Sequence, residues 1–152
     1  MSEFGKVAIF GAGLIGGSFA LALKAAHAVE EVVAFGRTPA SLQEALELGL
    51  IDRAGINPAH EMGDADLVLI ATPVAQMPGI MERIAPYLGP QTIVTDGGST
   101  KSDVAAVARI LGLRVPVFSA RVPAHCASCL MRSGFEGEAG QAQARKFGGS
   151  MA

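Results

Sequence analysis

Short apolar stretches alternate along this chain with longer segments in which apolar and polar residues mix. The apolar stretches have the length and residue types of strands, and the mixed segments have the length and alanine content of helices. Because strands and helices alternate, we expect an α/β domain with a doubly wound, mainly parallel sheet and right-handed crossovers. The predicted strands are residues 6–10, 31–35, 65–71, 91–96 and 114–118, and the predicted helices are residues 14–26, 38–49, 74–88 and 100–112.

One apolar run is long enough to raise the question of a membrane span. From Val7 the chain carries no charged residue until Lys24, and about 17 to 25 apolar residues can cross a bilayer as a helix. Glycines interrupt this run where a spanning helix would have little use for them. They instead indicate a turn between a strand and a helix. These glycines are Gly11, Gly13, Gly16 and Gly17.

Three of these glycines have the spacing G-x-G-x-x-G. In a strand–turn–helix unit the first permits the tight turn, the second lets a pyrophosphate approach the backbone, and the third lets helix and strand pack closely. The helix N-terminus adds N–H groups and the positive end of its dipole. The alternative is a glycine-rich turn beside a buried strand, without a ligand. The segment predicted to bind a dinucleotide is Gly11, Ala12, Gly13, Leu14, Ile15 and Gly16.

Composition and charge narrow the possible partners. Half of the 152 residues are hydrophobic and 17% are charged, which is typical of a globular protein with a well-buried sheet. The net charge of −2 offers no basic surface, so we expect neither nucleic acid nor a membrane as a partner. The N-terminus lacks the basic region and cleavage site of a secretory signal, and the expected location is therefore the cytoplasm.

The loop after the second predicted strand bears on the choice of cofactor. NAD-binding domains usually place a carboxylate there to hold the ribose hydroxyls, but this chain has Gly36, followed by Arg37 and Thr38. Without the carboxylate, a 2′-phosphate is not repelled, and Arg37 could pair with that phosphate or stack on adenine. This favours NADP slightly, although either cofactor is compatible with the loop. A solvated loop cation is the alternative for Arg37.

Two further strand ends carry candidate residues. Thr72 and Pro73 follow one predicted strand, where a threonine hydroxyl could contact ribose or phosphate; helix capping is the alternative. Ser99 lies in "TDGGSTKSD" after the next strand and is also a site candidate. Ser99 or Thr100 could instead cap the following helix, with Asp103 placed as in a capping arrangement.

Five segments together, in this order, closely resemble the nucleotide-binding domain of the prephenate and arogenate dehydrogenases of tyrosine biosynthesis. The resemblance covers residues 5–125 and is specific, because ordinary Rossmann domains share only the first segment. It implies a Rossmann-type sheet, NAD(P) as the cofactor, and prephenate or arogenate as the small-molecule substrate. The implied reaction is an oxidative decarboxylation, in which NAD(P)⁺ takes a hydride from the ring carbon bearing the 4-hydroxyl. The segments are "GAGLIGGSFALALK", "LELGLIDRA", "ADLVLIATPV", "TDGGSTKSDV" and "RVPAH".

The resemblance also implies two catalytic residues. Ser99 matches a serine placed near nicotinamide and the substrate hydroxyl. His125 matches the histidine that hydrogen-bonds the 4-hydroxyl and helps to withdraw its proton, a task that suits an imidazole because its pKa lies near working pH. His27 and His60 match nothing in the family and are expected to be exposed.

Beyond His125 the chain departs from the family. It reads "HCASCLMRSGFE", in which only Ser133 and Gly134 keep the family's register; a shifted reading frame and a genuine divergence both fit. No metal is expected, because no second Cys/His pair completes a site with Cys126 and Cys129.

We expect residues 126–152 to form a poorly ordered tail after a domain at 1–125. We also expect the family's helical second domain to be absent. In the family that domain forms the dimer and supplies an arginine for the substrate carboxylate. Its absence would weaken substrate positioning and water exclusion, and hence turnover.

Two other functions remain open at this stage. One is another NAD(P)-dependent reductase, of the β-hydroxyacid or ketopantoate type, against which "TDGGSTK" followed by "PAH" argues. The other is a non-catalytic NAD(P)-binding module, which the expected absence of the second domain favours.

Overall fold

A computed structural model describes residues 2–97, 106–107 and 110–111 of the chain. Within these residues, strands and helices alternate as the hydrophobic pattern predicts. The strands are β1 (Phe4–Phe10), β2 (Val29–Phe35), β3 (Arg53–Ala54), β4 (Leu67–Ile70) and β5 (Ile93–Asp96). The helices are α1 (Leu14–Ala25), α2 (Pro39–Glu47), α3 (Pro58–Glu61) and α4 (Met77–Ile84), with 3₁₀ turns at Val74–Gln76 and Ala85–Tyr87.

The strands form one sheet in the order β3-β2-β1-β4-β5, and every neighbouring pair is parallel. The central strand β1 pairs with β2 on one side and β4 on the other, so that Val7 is opposite both Val32 and Leu67. The chain winds outward from β1 to β3 and then crosses back to β4. In such sheets ligands bind where this reversal occurs, at the carboxyl ends of the strands. The predicted α/β class and parallel sheet are confirmed.

The sheet is buried on both faces, which explains why its strands read as continuous apolar runs. Successive residues of β1 belong to different core clusters: Ala8 packs with Met77 and Met81 of α4, and Ile9 packs in the cluster that includes Ala20 of α1. The apolar run from Val7 is therefore divided between β1 and α1. None of the helices that the structure describes is long and apolar enough to span a bilayer.

The structure differs from the predicted elements in three places, of which one is the four-residue helix α3, which was not predicted. The two-residue β3 was not predicted, since it is defined only by pairing of Val33 with Arg53 and Ala34 with Ala54. The predicted helix at 74–88 is a shorter α-helix between two 3₁₀ turns, because Pro78 lies in the first turn of α4 and starts it there.

Part of the predicted sequence lies outside the described residues. Residues 106, 107 and 110 are helical, within the helix predicted at 100–112. The predicted strand at 114–118 and the tail at 126–152 are not described.

Candidate functional site

The glycine turn starts at the carboxyl end of β1, where Gly11 has a φ of 94°. A Cβ atom on Gly11 would lie 2.6 Å from the carbonyl oxygen of Ala71, which directly follows β4. The Gly11 N–H donates a 2.8 Å hydrogen bond to the Phe35 carbonyl at the end of β2. Both the backbone conformation and the close approach require glycine here. The turn is thereby held against the ends of β2 and β4.

Gly16 has the packing role predicted for the third glycine of the motif. A Cβ atom on Gly16 would collide with the carbonyl oxygen of Gly11 and lie 3.0 Å from Cγ2 of Ile9. Helix α1 can approach the turn and β1 this closely only because residue 16 has no side chain. That these glycines contact a nucleotide stays a prediction.

Gly13 differs from both, because none of the described residues requires a glycine there. Its φ of −78° is open to any residue, and a Cβ atom would meet no atom of the described residues within 4 Å. Gly13 is the N-cap of α1, and no side chain caps this helix. Among the described residues none fills the space in front of Gly13, where the positive end of α1 favours an anionic ligand.

A groove of about 1080 Å³ opens at this end of the sheet. Its walls are the glycine turn, the loop after β2 with α2 and the residues that follow α2 and β3, and the segment that runs from the end of β4 into α4. The rings of Phe10 and Phe35 line it and stack with their centroids 4.7 Å apart. The predicted cofactor-binding residues that line the groove are Gly11, Ala12, Gly13, Arg37, Thr38, Thr72 and Pro73.

Leu14, Ile15 and Gly16 are not part of the groove wall. Leu14 and Ile15 are 37% and 48% exposed. A Cβ atom on Gly97, directly after β5, would lie 3.3 Å from Cγ2 of Ile15. Ile15 therefore stands beside the carboxyl end of β5, from which the chain continues toward Ser99.

Thr72 carries a buried hydroxyl without a partner. Its Oγ1 has less than 1 Å² of exposed surface and no hydrogen-bond partner among the residues described. The capping alternative is wrong, because the 3₁₀ turn after it has Pro73 as its N-cap and no side-chain cap. A buried hydroxyl left unpaired costs about 1–3 kcal/mol. Such a group at the wall of a groove indicates a position for a polar ligand atom.

Thr38 has a structural partner of its own. It is the N-cap of α2, and its Oγ1 accepts a 3.3 Å hydrogen bond from the N–H of Ser41. Arg37, just before it, is exposed at the groove. Gly36 follows β2 directly, and a Cβ atom there would lie 3.1 Å from Cδ2 of Leu42. Contact of Arg37 and Thr38 with a cofactor stays a prediction.

Several groove residues were not predicted from the sequence. Ile56 lies beyond β3, and Gln76, Ile80 and Arg83 come from α4 and the 3₁₀ turn before it. The sequence does contain a signal for the residues of α4 and the turn before it. Residues three or four apart share one face of a helix, and Gln76, Ile80 and Arg83 have this spacing shortly after Thr72 and Pro73.

A network of ion pairs lies away from the groove, around the buried Glu61. Lys6 Nζ is 2.7 Å from Glu61 Oε2, and the Arg53 guanidinium binds both carboxylate oxygens of Glu61. Arg53 also contacts Glu31 at 3.1 Å. Hydrogen bonds from Arg53, and next from Lys6, lower the pKa of Glu61 to about 2. This network joins β1, β2, β3 and α3.

The predicted catalytic pair, Ser99 and His125, lies outside the described residues, as do Cys126 and Cys129. Their catalytic roles therefore stay predictions. His27 and His60 are exposed, as expected. No group of His, Cys, Asp and Glu suited to a metal ion occurs within the described part of the chain.

Comparison with known proteins adds an independent observation. Residues 19–125 match the family described as "Prephenate dehydrogenase, nucleotide-binding domain". The match begins after the glycine turn. The geometry of the turn and the family match are therefore independent observations, because they rest on different residues. Prephenate dehydrogenase of Lactococcus lactis subsp. cremoris is 33% identical over 107 residues, which are 70% of this chain and 30% of that protein.

Solved structures agree with this match. The prephenate dehydrogenase of A. aeolicus, in complex with hydroxyphenyl propionate and NAD⁺, has a TM-score of 0.65 at 28% identity, covering 71% of this chain and 38% of that one. The Synechocystis arogenate dehydrogenase has a TM-score of 0.63 at 30% identity, covering 70% and 37%. The chain thus spans about a third of the length of these relatives.

Proposed function

Because the chain belongs to the family of prephenate dehydrogenase nucleotide-binding domains, we propose that its groove binds NAD(P)⁺ for the oxidative decarboxylation of prephenate or arogenate. The observation that carries the nucleotide site is the contrast among the three glycines. Neighbouring atoms require glycine at positions 11 and 16, but no atom of the described residues lies within 4 Å of a Cβ atom on Gly13. A glycine that the fold does not need is explained by a ligand that approaches the backbone.

The described residues fit the parts of a dinucleotide. Gly13 and the N-terminus of α1 would receive the pyrophosphate, and the unpaired Thr72 hydroxyl would bond a ribose hydroxyl or phosphate oxygen. Arg37 would meet the adenosine end, by pairing with a 2′-phosphate or stacking on adenine. With Gly36 in place of a carboxylate, NADP should bind at least as well as NAD. When bound, NAD(P)⁺ supplies the hydride acceptor.

The chain's own chemistry would reside in Ser99 and His125. His125 would accept the proton of the substrate's 4-hydroxyl as hydride leaves the ring carbon that bears this hydroxyl and the ring carboxylate is lost as carbon dioxide, and Ser99 would hold the hydroxyl in place. Prephenate or arogenate as the substrate and a cytoplasmic location are part of the same proposal. In a fusion of this chain with a helical domain of the family, replacing His125 by Asn should lower prephenate-dependent NAD(P)H formation and leave nucleotide affinity unchanged.

Nucleotide binding is tested directly with Gly13→Val. The valine side chain would fill the space in front of the turn, so affinity for NAD⁺ and NADP⁺ should fall more than about tenfold, or 1.4 kcal/mol. Calorimetric titration measures this, and circular dichroism checks the fold. Gly63→Val is the matched control, since Gly63 is exposed, outside the groove, and has room for a Cβ atom. Equal affinity in Gly13→Val and Gly63→Val would reject the site.

A further inference from the structure

The positive side chains in the described residues divide into two groups. Away from the groove they are held in ion pairs: Lys6 with Glu61 at 2.7 Å, Lys24 with Asp52 at 2.7 Å, and Arg53 with Glu31 at 3.1 Å. Arg37 and Arg83 line the groove, and neither has an ion-pair partner within the part of the chain described. The groove thus carries two guanidinium groups outside the described ion pairs, and one carboxylate, that of Glu44, also lines it.

Arg83 reaches the groove because of its place on α4. Gln76, Gly79, Ile80 and Arg83 all line the groove and share one face of the helix. Gly79 lies one turn before Arg83, and a Cβ atom on it would meet no atom of the described residues within 4 Å. The missing side chain at this neighbouring position keeps the wall open beside Arg83.

The two arginines belong to different walls. Arg37 is in the loop after β2, whereas Arg83 is on α4, beyond the end of β4. The pyrophosphate position at the glycine turn has backbone N–H groups and the α1 dipole, and it needs neither arginine. An additional anionic group lying between these two walls of the groove would contact both arginines.

We propose that Arg83 is a second specificity-determining cation, which binds the 2′-phosphate of NADP⁺ together with Arg37. The inference rests on the proposed NAD(P) site and deepens it. A phosphate monoester carries between one and a half and two negative charges near neutral pH, and guanidinium groups can bind phosphate with two parallel hydrogen bonds. NAD⁺ lacks this group, so Arg83 discriminates between the two cofactors.

The test compares Arg83→Gln with the wild-type chain in calorimetric titrations of NADP⁺ and NAD⁺. Adenosine 2′,5′-bisphosphate and 5′-AMP serve as a second pair of probes that differ only in the 2′-phosphate. Arg83→Gln should weaken binding of both 2′-phosphorylated probes by about tenfold, and binding of the other two by less than about twofold. Arg83→Lys should keep part of the affinity, because it keeps the charge.

Lys24→Gln is the matched control, since it removes one positive charge outside the groove. Equal losses for NADP⁺ and NAD⁺ in Arg83→Gln, or no loss for NADP⁺, would overturn the inference. A wild-type chain that binds NAD⁺ and not NADP⁺ would also overturn it, with the nucleotide site itself intact. A chain that binds none of the four probes would instead reject the proposed function.

Discussion

The carbonyl oxygen of Gly11 lies where a Cβ atom on Gly16 would have to be. Gly16→Ala should therefore force α1 away from the turn and destabilise the fold by about 2–3 kcal/mol, as overpacking does in a tight core. Urea unfolding measures the change. Gly79→Ala is the matched control in a helix with open space, and it should stabilise the fold by about 0.5–1 kcal/mol. If both substitutions act alike, the packing role of Gly16 is wrong.

The unpaired Thr72 hydroxyl predicts opposite effects on stability and binding. Thr72→Val replaces a buried, unsatisfied hydroxyl by a methyl group of similar size, so it should raise the free energy of unfolding by up to about 1–3 kcal/mol. Nucleotide affinity should fall, because the hydroxyl is the ligand's partner. Urea unfolding and titration of NAD⁺ and NADP⁺ check the two effects. Thr72→Ser keeps the hydroxyl and should keep binding; unchanged affinity in Thr72→Val would contradict the assignment.

The lowered pKa of Glu61 predicts that the free energy of unfolding decreases in acid. Its pKa is about 2 in the folded chain, against 4.5 for an unperturbed glutamate. The stabilisation is therefore fully present above pH 4.5 and is lost as the pH falls toward 2. Glu61→Gln should cost about 1–2 kcal/mol at neutral pH, since Arg53 is partly exposed and screened, and less as the pH falls. Urea unfolding from pH 7 to pH 2 tests this, with the exposed Glu82→Gln as control.

His27 is a non-glycine residue with a φ of 52° at the end of α1. Its N–H donates to the Lys24 carbonyl and that of Ala28 to the Leu23 carbonyl, both at 3.0 Å, so the bend closes the helix. Because glycine adopts this conformation without strain, His27→Gly should stabilise the fold by about 0.5–1 kcal/mol. Ala26→Gly, one residue earlier at a φ of −81°, should destabilise it. Thermal unfolding of both variants tests this expectation. A His27→Gly variant less stable than the wild-type chain would refute the argument.

A carboxylate introduced at position 36 should change the cofactor preference through its charge alone. Gly36→Asp should shift the ratio of NADP⁺ to NAD⁺ affinities toward NAD⁺, because the carboxylate repels a 2′-phosphate. A side chain there also crowds Leu42, whose Cδ2 would be 3.1 Å from the new Cβ. Gly36→Asn has the same shape without the charge and is therefore the control for crowding. An equal shift of the ratio in both variants would show that crowding, not charge, acts at this loop.

The sequence by itself determined the strands, turns and helices that depend on residues close together in the chain. The apolar run of β1, the spacing of Gly11, Gly13 and Gly16, and Pro39 at the first turn of α2 specify strand, turn and helix through residues close in the chain. The alternation of these elements in turn predicted the parallel sheet, because parallel strands need crossover connections. The likeness to the family came from five segments read in order, and residues 19–125 confirm it.

Only the tertiary structure decided the separate roles of residues that the sequence does not distinguish. Gly13 and Gly16 look alike in the motif, and they differ because Gly11 and Ile9 crowd Gly16, whereas none of the described residues crowds Gly13. Thr72 is unpaired because no described donor or acceptor comes near it. Arg83 enters the groove because α4 packs beside β4, far along the chain from Arg37. Burial, pairing and open space depend on contacts between distant segments, which a linear pattern does not contain.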